Sequence, residues 1–147
     1  MVDSGVELRE ATWFMPFAPG PGFPINTRLA CRFGHRLCWP NPRRSVAQWG
    51  FEEPDQLWVD SLFQSYWATM LNPRRVSVRV ADHPMHIARL SKPLMKALHE
   101  LLACAHNIIT PNETTADYLQ SEFGGYIKLG PNGVDVAHFE QEREIPA

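Results

Sequence analysis

From Pro54 onward, short runs in which every second residue is apolar alternate with longer stretches whose apolar residues recur every three or four positions. The first period belongs to strands and the second to helices. "DQLWVD" (55–60) reads as a strand. "SLFQSYWATML" (61–71) reads as a helix whose Leu62, Phe63, Tyr66, Trp67, Met70 and Leu71 form a wide apolar face. Asn72-Pro73 stops it, because proline disfavours helical backbone in the residue before it. "RVSVRVA" (75–81) is the next strand, with Val76, Val78 and Val80 on one side. Ser91 is placed to cap a helix with Pro93 in its first turn and Leu94, Leu98, Leu101, Leu102 and Ala105 on its buried face. "NIIT" (107–110) is a short buried strand, "NETTADYLQSEF" (112–123) a helix ended by Gly124-Gly125, and "YIKL" (126–129) a last strand.

Residues 1–53 lack this regularity. "PFAPGPGFP" (16–24) is too rich in Pro and Gly for regular structure, and "ATWFMP" (11–16) before it reads as a short strand. "INTRLACRFGHRLCW" (25–39) reads as a helix capped by Asn26 or Thr27, with Leu29, Phe33 and Leu37 in one stripe and Gly34 as a weak point. The expected organisation is a single domain. An irregular lead with one strand and one basic helix occupies 1–53, a regular β/α region 54–139, and a linker or tail 140–147.

Alternating strands and helices imply a mainly parallel sheet, because each parallel neighbour needs a crossover. The expected fold is therefore α/β, a three-layer Rossmann-like sheet with helices on both faces. Its 147 residues suffice for one domain that buries roughly two thirds of its unfolded surface. A net charge of −2 gives no global attraction to nucleic acid, which is not an expected partner. Cys31, Cys38 and Cys104 make an odd count without framework spacing, and no basic-then-apolar leader opens the chain, so a reduced, cytoplasmic setting is expected. No apolar run approaches the roughly 20 residues of a membrane span.

Ligands of open parallel sheets bind beyond the carboxyl ends of the strands. Asp60 and Ser61 stand after the first strand, Asp82 and His83 after the second, and Thr110 and Asn112 after the third. Asn132, Gly133 and Asp135 follow the fourth. Helix capping accounts for Ser61, Thr110 and Asn112, but not for His83 or for "NGVD", which precedes no visible helix.

The series "PDQLWVD", "RVSVRVADHP", "LLACAHNIITPNETTADYL" and "YIKLGPNGVDVAHF" resembles the amino-terminal domain of two-domain GT-B fold glycosyltransferases, particularly the large bacterial family 4 type. The likeness runs from about Pro54 to Phe139 and is vague before it. It implies one half of a GT-B fold that transfers a sugar from a nucleotide-sugar donor to a hydroxyl or lipid-linked acceptor, in cell-envelope or polysaccharide synthesis. No cofactor or obligatory metal is implied. In that family the acceptor lies on the amino-terminal domain and the donor mainly on a second one. Only "EQEREIPA" follows Phe139, so the donor domain is expected to be absent and the chain inactive alone.

Under this resemblance Asp82 and His83 stand near the sugar's reactive centre, where an imidazole takes a proton from an acceptor hydroxyl and a carboxylate orients it. Asp60 and Ser61 lie on the acceptor side. Thr110, Asn132, Gly133 and Asp135 lie at the interdomain crossing or near the nucleotide. Two metal sets compete: Asp82 with His83 and His86, and Cys31 with His35 and Cys38. Pro84 breaks the helix the first would need, and the second lacks a fourth ligand. Arg28, Arg32 and Arg36 run beside the Leu29 stripe, with Arg43 and Arg44 beyond. They suit either a core helix with a solvated basic flank or a peripheral helix on anionic lipid at the inner face of the membrane. The alternative to an enzyme is a stand-alone α/β module that binds a carbohydrate or another partner. Arg79 stands in a strand expected to be buried, with its role open between edge strand, ion pair and interdomain contact.

Overall fold

The computed structural model describes residues 10, 12–14, 27–61, 64–85, 92–130 and 132–133, and only the backbone at 28, 31 and 93. Four strands, β1 (Leu57–Val59), β2 (Val76–Arg79), β3 (Asn107–Thr110) and β4 (Ile127–Leu129), form one parallel sheet in the order β1-β2-β3-β4. Val78 lies opposite Val59 on one side and Ile108 on the other, and Ile108 opposite Ile127.

Helices fill the crossovers: α3 (Tyr66–Met70), α4 (Lys92–Ala103) and α5 (Glu113–Phe123). The expected strands and helices of this region are present. Ser91, Leu62 and Phe63 lie outside the described residues. Asn112 caps α5 by accepting the Thr115 N–H at 2.8 Å, and Gly124 ends the helix at φ 68°, a left-handed conformation that glycine adopts without strain.

Side chains alternate across a strand, so each strand presents two faces. Val59, Val76, Val78 and Val80 pack with Leu98, Leu101 and Leu102 of α4 and Leu119 of α5, and Ala68 of α3 joins this cluster from its edge. All three crossover helices therefore cover the same face. This follows from the topology: every crossover steps in the same direction, and a constant hand then sends every helix to one side. The expected second helical layer is not found among the described residues. The arrangement they show is a Rossmann-like α/β sheet with helices on one face.

The opposite face carries Trp58, Ser77, Arg79, Asn107, Ile109 and Lys128, by the same alternation. It is mostly polar and internally bonded. Ser77 is buried, and its hydroxyl oxygen accepts from the Gln56 and Asn107 amides, each at 3.2 Å.

The lead sits against the outside of the helix layer. α1 (Arg28–Phe33) packs on α4 and α3, and Thr27 caps it by accepting the Ala30 N–H at 3.2 Å. At Gly34 the expected single helix gives way to a 3-10 turn, Gly34–Leu37. His35 stacks on Tyr66 at 4.7 Å, and Trp13 lies 5.5 Å from Trp67. Of the expected 11–16 strand, the described part is an antiparallel bridge from Phe14 to Trp39. The expected Leu29 stripe does not enter a core: Leu29, Phe33 and Leu37 are 67%, 38% and 58% exposed. A second short helix, α2 (Pro42–Gln48), was not anticipated, although Asn41-Pro42 is a cap followed by a proline at the first helical position. No described helix is long and apolar enough to cross a membrane.

Candidate functional site

The carboxyl end of the sheet gathers polar side chains from three strands. Trp58, alternating outward from the buried Val59, donates its indole N–H to the Asp60 carboxylate at 3.1 Å. Arg79, at the end of β2, reaches both ways: its guanidinium lies 3.7 Å from the same Asp60 oxygen and donates to the Asn132 side-chain oxygen beyond β4. Arg79 thus ties the loops after β1 and β4 together across the sheet, which assigns this strand charge a partner on each side.

Asp60 is more than half exposed, so this ion pair contributes little stability, about 1 kcal/mol at most. Its effect is orientation. With Asn132 accepting from Arg79, the amide N–H pair is left to donate, while Asp60 retains acceptor capacity and the guanidinium retains donors. Beside them half the Trp58 surface is open. Planar donors and acceptors around an aromatic ring suit a polyhydroxylated ligand.

Gly130 opens the loop to Asn132, and its N–H donates to the Thr110 carbonyl at 2.9 Å. A Cβ there would come within 2.7 Å of the Ile109 Cγ2. The backbone therefore passes over β3 as closely as it does because residue 130 has no side chain.

The other expected site residues divide. His83 Nδ1 accepts the Met85 N–H at 3.2 Å, and its ring lies 4.7 Å from Tyr118, whose hydroxyl is pushed up in pKa by burial and by Glu122. With Nδ1 engaged as acceptor, the neutral ring carries its proton on Nε2 and presents a donor. The expected role as proton acceptor does not fit this tautomer. Asp82 is exposed in the same loop. Ser61 accepts the Gln64 N–H through its carbonyl at 2.9 Å and so shapes the turn into α3. Thr110 is fully buried at the end of β3, and neither its hydroxyl nor that of Thr115 has a partner among the described residues. Sealed from solvent, Thr110 supports the strand end from within and does not face a ligand. Asn132 and Gly133 are exposed, and Asp135 lies outside the described residues.

No group of three or more metal-ligating side chains gathers among the described residues. His86 and the Cys31 side chain lie outside them. Burial pushes the Cys38 thiol up, and burial followed by the Arg36 charge pushes His35 down. Both shifts favour neutral forms, whereas a thiolate is what binds metal.

The sequence reading had no role for Trp58 and none assigned for Arg79. Their signal was the alternation itself: both occupy the parity opposite Val59 and Val78. No protein family, curated protein or solved structure matches the chain.

Proposed function

We propose that the chain is the acceptor-side half of a two-domain, GT-B-type glycosyltransferase and holds a saccharide hydroxyl at the carboxyl edge of its sheet. The observation that carries this reading is the Trp58–Asp60–Arg79–Asn132 cluster, which stands where parallel sheets bind ligands. The motif series ending in "GPNGVD" supports the glycosyltransferase class. In this reading Trp58 stacks on the sugar ring, and Asp60 and Arg79 bond its hydroxyls. Asp82 and His83 flank the reacting centre, His83 as a donor through Nε2. The sugar passes from the nucleotide diphosphate, the leaving group, to the acceptor oxygen, which loses its proton. In the family it resembles, the groups that stabilise the diphosphate belong to the other domain, so the chain by itself binds acceptor without transferring sugar.

The same cluster also favours a second reading, a non-catalytic saccharide-binding module, since binding needs no donor half. The test is a titration of the chain with glycosides and, separately, with nucleotide sugars, followed by tryptophan fluorescence. Glycoside binding weakened about tenfold or more by Trp58→Ala and by Asp60→Asn supports an acceptor site. No glycoside binding, or nucleotide-sugar hydrolysis abolished by His83→Ala, overturns the assignment. Joining a GT-B donor-side domain after Gly133 separates the two readings, because only the first then gains transfer.

A further inference from the structure

Between Ala11 and Phe51 the sequence contains Arg28, Arg32, Arg36, Arg43 and Arg44 and no aspartate or glutamate, in a chain whose net charge is −2. The positive charge is thus concentrated in the lead while the remainder is strongly acidic. The lead also exposes large apolar side chains. Besides Leu29 and Leu37, Phe14 is 70% and Trp39 77% exposed, and the bridge between these two sets their side chains beside each other. An apolar surface of this kind on a chain with a well-packed core elsewhere marks a contact.

The arginines converge. A cavity of about 640 Å³ is lined by Arg32, Arg36, Arg43, His35, Asn41 and Phe33, and no carboxylate lines it. The Arg32 and Arg36 guanidiniums lie 5.5 and 4.9 Å from the Phe33 ring centre, which helps fix their planes. Three guanidiniums and an amide form a donor-rich cavity whose fork geometry matches phosphate oxygens. A soluble phosphate ester would use the cavity and leave Phe14, Leu37 and Trp39 unexplained. A nucleic acid would likewise use the arginines alone, against the acidic remainder of the chain. One surface demands both at once: the interface of an anionic bilayer, where phosphates and acyl chains lie within one side chain of each other.

We propose that this face of the lead docks on an anionic phospholipid bilayer, with a lipid phosphate in the Arg32–Arg36–Arg43 cavity and Phe14, Leu37 and Trp39 entering the interface. The proposal stands apart from the saccharide site and does not rest on it. The test sediments the full chain with vesicles of phosphatidylcholine alone and of phosphatidylcholine mixed with phosphatidylglycerol. Binding is expected with the mixed vesicles only. At about fivefold per arginine near an anionic surface, Arg32→Ala with Arg36→Ala and Arg43→Ala should lower partitioning on the order of a hundredfold. Trp39→Ser should lower it further. Arg74→Ala with Arg75→Ala, which removes charge outside the lead, should have a much smaller effect per charge. Excess inorganic phosphate should not release the chain. Equal binding to neutral vesicles, an unaffected triple variant, release by inorganic phosphate, or equal affinity for a DNA duplex would each overturn the proposal. An unchanged thermal melt assigns the loss to docking, and if the triple variant fails to fold, Trp39→Ser and the two vesicle compositions decide.

Discussion

Two apolar stripes with nearly the same spacing meet opposite fates. Leu94, Leu98 and Leu101 on α4 are 2%, 5% and 3% exposed, whereas Leu29, Phe33 and Leu37 in the lead remain largely open. The difference lies in what each stripe connects. α4 has 12 residues and joins two hydrogen-bonded parallel neighbours, so its path is forced across the sheet. α1 has 6, breaks at Gly34, and bridges no pair of strands. Periodicity tells which side of a helix is apolar; connectivity tells whether anything covers it.

The contrast can be broken by mutation, beginning where it is widest. Leu98→Ala in the α4 stripe is expected to lower unfolding free energy by about 2–5 kcal/mol, read from urea denaturation, because a packed core relaxes only partly around a lost side chain. A loss under about 1 kcal/mol would mean that α4 is not the packed layer described. Helix caps come next. Asn112→Ala on α5, which carries the fully buried Leu119, should cost about 1 kcal/mol of global stability. Thr27→Ala should instead fray α1 locally, seen as faster exchange of the Ala30 amide with a smaller global loss. Equal global effects would show the lead to be as firmly coupled as α5.

Acid and alkali probe the junction between the two regions at His35 and Tyr66. His35 is held below its ordinary 6.5 by burial and Arg36, so the unfolded chain takes up that proton first. Stability should fall as pH drops through about 6.5, and His35→Gln should flatten that slope. A melt that strengthens on acidification through this range would contradict the placement. Burial, then nearby Cys38, pushes the Tyr66 hydroxyl up from 10.0 to about 12. Its contribution is present below pH 10 and is lost as pH rises toward 12. The smallest effect belongs to Leu37→Ser, expected to leave the melt within about 0.5 kcal/mol because the side chain is already in water. A larger loss would place that residue in a core.

Much of the sheet was legible because the period of two is strict: Val76, Val78 and Val80 fall on one face and are buried there. The strand ends were legible for the same reason, and Asp60 and Asn132 do meet at one cluster through Arg79. Hidden from the sequence was the side each helix takes, which depends on strand order, and strand order is set by pairings that periodicity does not encode. That gap produced the expected second helical layer. It also left Arg79 ambiguous, since a charge in a central strand makes sense only once one face is known to be polar. His83 went astray for a more local reason: a backbone N–H two residues on occupies its Nδ1, and proton position cannot be read from residue type. In the lead, Gly34 was noted as a weak point, yet its 3-10 consequence depended on how the chain turned toward Trp39.

The strand order has a further meaning for how the molecule is made. Leu57 pairs with Val76, Val78 with Ile108, and Ile108 with Ile127, so each strand joins the one synthesised immediately before it. No strand waits for a later segment to be threaded between neighbours, and each loop closure spans only one crossover. A sheet of this kind can be laid down in the order of translation, every new strand finding its template already in place.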